Sequence, residues 1–301
     1  MYPSRRCAVT IDRKSPTVRR RRLGAELRNR RERAGYSLEY VADQLECSQS
    51  KISRIETGHT SVNVRDVRDL LTIYGAGEAE IQELIELARE ARQKAWWHPF
   101  SQVLSSAYVG LEAEAVRVRT YEQQLVPGLL QTEAYARATM GILPGRSDEE
   151  ISSRVRVRMQ RQSLLDQEDS FHLWVVLDEA AVSRPVGGDE VMCDQLRHLV
   201  VAANRPNVTL QLLPFEIGSH AGMDGTFAIL DFREPGDRSV VFAENATGGL
   251  FIDKRDELER YKNLFEHIHT AALGPEQSAE RIQQLVEEPL WRSRQRGFAS
   301  T

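Results

Sequence analysis

The sequence predicts two units: a five-helix all-α domain, then an α+β domain with a largely antiparallel sheet. Three observations carry that prediction. Apolar residues between positions 22 and 97 recur at helical spacing between well-marked stops. Beyond Pro99, period-two alternation enters among further helical stretches. Charge divides in the same way: residues 1–58 hold 14 Lys and Arg against 7 Asp and Glu, although the 301-residue chain carries a net charge of −4. A basic head on an acidic body is the asymmetry expected when one unit meets phosphate and the other does not.

Residues 1–21 contain Pro3, Pro16 and the run Arg19-Arg20-Arg21-Arg22 without apolar periodicity. They read as a disordered basic arm, either a solvated tail or one that follows a nucleic-acid backbone or enters a minor groove. Leu23 and Leu27 then share a helix face that Gly35 closes. Ser37 is an N-cap, and Leu38, Val41, Ala42 and Leu45 form one buried stripe. Ser48 caps a third helix in which Ile52 and Ile55 alone are apolar, leaving Gln49, Ser50, Lys51, Ser53 and Arg54 outside; Gly58 stops it. Asn63 caps a fourth helix through Val64, Val67, Leu70, Leu71 and Tyr74, closed by Gly75 and Gly77. A fifth runs from Glu78 to about Trp97, with Ile81, Leu84, Ile85, Leu87, Ala88 and Ala91 on its apolar side.

The second unit is expected over 98–288, before a tail at 289–301. Val116 and Val118 alternate with Arg117 and Arg119, and Phe171 to Leu177 alternates likewise. Val208 to Phe215, Thr226 to Phe232 and Ser239 to Glu244 are further strands. Helices are expected at Glu133 to Met140, Asp148 to Asp166, Asp189 to Ala203 and Lys254 to Ala272, with a short one after Pro275.

Several chemistries are disfavoured. Cys7, Cys47 and Cys193 are odd in number and far apart, which suits neither a disulfide framework nor a metal knuckle. No long apolar stretch suggests a membrane span, so a cytoplasmic protein without metal or cofactor is expected. His267 and His269 diverge on a helix, His198 flanks an apolar helix face, and Glu112 and Glu114 read as a solvated edge. Nucleotide-binding and hydrolase signatures are missing, and no enzyme is expected.

The helices either side of Glu46-Cys47-Ser48, within 37–56, suit a helix-turn-helix whose second member, 49–56, enters the major groove of double-stranded DNA. Gln49 and Ser50 in its first turn can reach base edges, and Arg54 follows on the same side. Ser37, Ser48, Thr60, Ser61 and Asn63 lie at helix starts or in the next loop, where they suit phosphates, with Lys51 and Ser53 in support. The segments Tyr36 to Leu45 and Ser48 to Gly58 resemble the Cro/CI (XRE-type) helix-turn-helix. Ala42, Ile52, Ile55, Glu56 and Gly58 match its packing and turn positions, and Gln49, Ser50 and Arg54 its base-facing ones. The resemblance covers residues 23 to about 75 of an expected DNA-binding domain at 22–97, and implies a sequence-specific transcriptional regulator. Where that family often has Gln at the start of the first helix of the pair, this chain has Leu38.

A second resemblance rests on Glu112 to Ala115, Val126 to Ala136, Asp178 to Ala181 and Gln195 to Leu199. It is to an uncharacterised domain joined to such motifs in regulators of filamentous actinobacteria, which resemble antitoxins and are often paired with a small partner protein. It implies a regulatory domain that senses a ligand or that partner. The alternative is an antitoxin-like interaction protein with DNA binding for autoregulation. The loops at 127–128, 214–225 and 245–249, with Trp174, Phe215, His220 and Phe227, frame a candidate effector or partner pocket. A homodimer is expected, since one recognition helix covers few base pairs; Trp96 and Trp97 are candidates for its interface.

Overall fold

The computed structural model describes residues 16–58, 60–92, 106–142, 145–233, 238–245 and 248–291. Five helices build the first unit: α1 (Pro16–Arg33), α2 (Leu38–Gln44), α3 (Gln49–Glu56), α4 (Val64–Ile73) and α5 (Glu78–Glu90). Their apolar stripes meet in one core around Leu27, Val41, Ile52, Val67, Leu71 and Ile85. Ser37, Ser48 and Asn63 cap α2, α3 and α4 by accepting hydrogen bonds from the N–H groups of Tyr40, Lys51 and Asp66. Gly35 and Gly58 have positive φ, which stops the helices before them.

The first helix takes in the end of the expected arm, from Pro16 onward. Pro16, suited to a helix's first turn, opens α1, and the arginine run lies inside it. Arginine is a good helix former; Leu23 and Leu27 bury one side of the helix in the first unit's core, and Val18 is buried in the core of the second. Arg19 pairs with Glu90 of α5 at 3.0 Å, and Arg21 reaches Asp253 at 2.9 Å. Residues 1–15 of the expected arm lie outside the described residues, as do Trp96 and Trp97.

The second unit contains α6 (Ser106–Glu114), β1 (Arg117–Glu122), α7 (Glu133–Met140), α8 (Asp148–Arg161), β2 (His172–Asp178), α9 (Glu179–Ser183), α10 (Asp189–Ala203), β3 (Val208–Leu213), β4 (Phe227–Asp231), β5 (Val240–Asn245), β6 (Gly248–Ile252), α11 (Arg255–Ala271) and α12 (Pro275–Glu287). The six strands form one sheet in the order β3-β2-β1-β4-β5-β6. The expected antiparallel sheet is in fact mixed: β1-β2 and β2-β3 are parallel, and β1-β4, β4-β5 and β5-β6 antiparallel. Alternation reports which face is buried, not strand direction. Direction is set here by the connections, since α7 and α8 cross between β1 and β2, and α9 and α10 between β2 and β3.

The sheet is buried on both faces. Val118, Leu173, Val175, Leu210 and Phe242 face α6, α10 and α12. Tyr121, Val176, Leu213, Phe227 and Val241 face Leu258, Phe265 and Ile268 of α11. The helix after Pro275 runs thirteen residues rather than one short turn. Trp291, placed in the expected tail, is buried against the α12 side of the core; residues 292–301 are outside the described set.

Candidate nucleic-acid interface

The third helix has two unlike sides. Ile52 and Ile55 are buried, and Glu56 at its end is buried with them, whereas Gln49, Ser50, Lys51 and Arg54 are exposed. Glu56 is held by Arg31 of α1 through two hydrogen bonds of 2.7 and 2.9 Å, and a third Arg31 donor reaches the Tyr36 carbonyl at 2.8 Å. This pair holds the Arg31 guanidinium above its ordinary pKa, chiefly through the hydrogen bonds to Glu56. Gly24 lets α1 cross closely: a Cβ there would lie 2.6 Å from the Glu56 carbonyl oxygen. The far end of α3 is thus anchored while its first turn, with Gln49 and Ser50, faces solvent.

The residues expected to hold phosphate divide into groups. Ser37, Ser48, Ser61 and Asn63 are exposed; the capping oxygens are engaged as acceptors, leaving the Ser O–H and the Asn63 amide N–H groups to donate outward. Lys51 is bound to Asp66 at 2.9 Å, which raises its pKa, so it braces α3 against α4. Ser53 is half-buried and its carbonyl accepts from Thr57. Thr60 does not present its hydroxyl, which is buried; its N–H instead donates to the Arg54 carbonyl at 3.2 Å. Arg65, in the first turn of α4, was missed by sequence reasoning. Its side chain is 90% exposed beside Asn63, a placement visible only once the loop before α4 is folded.

The arginines of α1 face elsewhere. Arg21, Arg22 and Arg28 line a cleft of about 330 Å³ between the two units, opposite Arg238, Lys254 and Arg255. Val18 of α1 and Leu111 of α6 close its apolar end.

The residues expected to frame an effector pocket take different places, and Phe227 and Gly128 border a cavity of the second unit. Trp174 packs under α11 against Phe265 and donates to Gln211 at 2.8 Å. Phe227 is buried beside Tyr261, His220 is tied to the turn at Gly222 and sits edge-on to Tyr121, and Phe215 is exposed. Aromatic residues alternating along strands covered on both faces are core, which is why Trp174 and Phe227 point into packing. The 245–249 loop is instead taken up by the ends of the β5-β6 hairpin. Glu112, read as a solvated edge, is buried and paired bidentately with Arg161 at 2.6 and 2.8 Å. Its partner is 49 positions away, so nothing local signals it.

Among the described residues no helix is long and apolar enough to cross a membrane. A family model described as a helix-turn-helix domain matches residues 22–84, and one described as a domain of unknown function (DUF5753) matches residues 105–284. No curated protein and no solved structure matches the chain. The first match coincides with the unit that exposes Gln49, Ser50 and Arg54, as expected of a DNA-binding regulator. The second takes in α6, all six strands and most of α12, more than half of the 301 residues, and the chain therefore belongs to the DUF5753 family, with a helix-turn-helix domain at its head.

Proposed function

We propose that this chain is a cytoplasmic, sequence-specific transcriptional regulator of the Cro/CI type, with α3 in the major groove and the DUF5753 domain in control of it. Gln49 and Ser50 read base edges, Arg54 reads a base or grips phosphate, and Ser37, Ser48, Ser61, Asn63 and Arg65 hold the backbone. The observation that carries this reading is the polarity of α3: one side anchored by Ile52, Ile55 and Glu56, the other exposed and hydrogen-bonding. A homodimer on two half-sites one duplex turn apart supplies the affinity that one helix lacks.

The same reading makes the chain a binding protein rather than an enzyme. Three candidate acid–base groups are already engaged: Glu112 by Arg161, His269 by Glu266 at 2.7 Å, and His220 by the Gly222 N–H.

The test is selection of binding sites from random duplexes at two salt concentrations. A recurring pseudo-palindrome is expected. Binding that falls steeply with salt yet prefers no sequence would overturn the specific-regulator reading and leave only phosphate attraction.

A further inference from the structure

A second cavity, of about 140 Å³, lies inside the DUF5753 domain on the α6 side of the antiparallel half of the sheet. Tyr108 and Val109 of α6 form one wall; Thr120 and Glu122 of β1 and Phe242 and Glu244 of β5 form the other; Gly128 and Arg158 close the end. The two arginines here differ. Arg161 is satisfied by Glu112 and lies 5.4 Å from the centre of the Tyr108 ring. Arg158 donates one Nη to Gln131 at 2.8 Å, but its Nε is buried and has no acceptor. Glu122 accepts from the Thr120 hydroxyl at 3.0 Å and shares the cavity's electrostatics with Glu244 and Arg158. Among the described residues no salt bridge within 4.0 Å joins Arg158 to either carboxylate.

The polar lining is built, not incidental. Gln131, which holds Arg158, donates to the Val126 carbonyl at 2.7 Å. Gln162 donates to the Gln131 carbonyl at 2.6 Å, and Gln195 to that of Leu130 at 2.7 Å. Three side-chain amides thus fix the segment that aims one guanidinium. Burying charge without a direct partner is costly, and an apolar filling would serve stability better, so such an arrangement in a cavity marks a binding site. The unmet Nε–H calls for a carboxylate or similar acceptor; Glu122, half-buried, and Glu244, exposed, offer carboxylates to a cationic donor. At about 140 Å³ the cavity falls below the several hundred Å³ typical of drug-sized ligands, which leaves room for few heavy atoms.

We propose that this cavity binds a small zwitterion of amino-acid size, its carboxylate on the Nε edge of Arg158 and its ammonium between Glu122 and Glu244, and that α6 transmits its presence to the DNA-binding unit. The sixth helix is placed to do so. It lines the cavity with Tyr108 and Val109, carries Glu112 of the buried ion pair, and packs Leu111 in the same core as Val18 of α1. A ligand that shifts α6 shifts the surface α1 rests on, and by linkage DNA changes the ligand's affinity by the same factor. Transmission rests on the regulator reading above; binding does not.

The test is isothermal titration of the full-length protein with each proteinogenic L-amino acid in turn. At least one is expected to bind at one per chain, with the matching amine lacking the carboxylate, and the matching acid lacking the ammonium, each at least tenfold weaker. Arg158→Lys, which keeps the charge but removes Nε, and Glu122→Gln should each weaken binding at least tenfold, with circular dichroism unchanged. Gly128→Ala, whose Cβ would lie 3.4 Å from Arg158 Nε and crowd that edge of the guanidinium, should weaken it too. Absence of binding by every amino acid, or binding that all three variants leave intact, overturns the site. Binding that leaves affinity for the selected duplex unchanged overturns the transmission alone. A selected duplex without any amino-acid binding leaves the regulator standing and removes the zwitterion site.

Discussion

Arg31 and Glu56 form a buried ion pair that ties the last residue of α3 to the first helix of the domain. The guanidinium also holds the Tyr36 carbonyl, in the turn between α1 and α2, so one side chain fixes three segments at once. Removing Arg31 strands the buried Glu56 carboxylate, and removing Glu56 takes from Arg31 its two shortest charged contacts, leaving the Tyr36 carbonyl and Glu32 at 3.7 Å.

Glu56→Ala is therefore expected to destabilise the DNA-binding unit by about 3–5 kcal/mol, the usual result of orphaning one member of a buried pair. Replacing both residues by apolar ones of similar volume should recover much of that loss. Urea denaturation of the single and double variants, followed by far-ultraviolet circular dichroism, measures the difference. Equal losses in the two would mean that the pair contributes nothing as a pair.

Gly24→Ala tests the crossing of α1 over α3. The added carbon would meet the carbonyl oxygens of Ile55 and Glu56 at 2.6 Å, and both are backbone atoms that yield only if a helix moves. Overpacking of this kind costs about 1–3 kcal/mol. A lower melting temperature with weaker DNA binding is expected; an unchanged melting temperature would show that the helices separate freely.

Gln49→Ala and Arg65→Ala should part company. Loss of a base-reading amide is expected to cost about 1–3 kcal/mol on the preferred duplex and to relax preference at a single base pair. Loss of the exposed Arg65 should weaken all duplexes alike and reduce the salt slope by about one. Competition titrations over a set of single-base-pair variants, repeated at several salt concentrations, separate the two patterns.

Burial pushes the Glu122 carboxyl up to about 8, helped by Glu244 and opposed by Thr120 and Arg158. The folded state then keeps a proton that the unfolded chain loses near the ordinary carboxylate value of 4.5. The stability that this group contributes is full below that value and drains away as pH rises through about 8. Glu122→Gln, neutral throughout, should flatten this part of the pH profile and gain on the wild type above pH 8. Urea midpoints at several pH values between these limits give the comparison; parallel profiles would place the carboxylate in water.

What the sequence disclosed and what it concealed follow from the range of each interaction. Ser37, Ser48 and Asn63 bond three residues ahead, and the apolar stripe of α4 repeats every three or four, so caps and helices can be read locally. The bounds of α7 and α10 coincide with the expected ones for the same reason. The run Arg19 to Arg22 misleads because a charge run has the same appearance in a tail and on a helix, and the partners that order it, Glu90 and Asp253, are remote. Strand direction, the Glu112–Arg161 pair and the burial of Trp174 and Phe227 all depend on crossovers and on α11, which no short window contains. The exposed face of α3 could be found because its polarity is written within eight residues. The zwitterion cavity could not, since its walls come from α6, β1, the 126–132 segment, α8 and β5.

The sheet places its earliest strand, β1, in the middle. On the ribosome that strand emerges long before its neighbours: Thr120 bonds to the Phe227 carbonyl, 107 positions further along, and no edge is available to it sooner than β2. Closing so wide a loop is slow, whereas the ties among the helices before it are shorter, from the 25 positions between Arg31 and Glu56 to the 50 between Arg30 and Glu80 and the pairing of Arg19 with Glu90. During each round of translation the contacts within the helical head therefore come within reach while most of the second domain is still to be made.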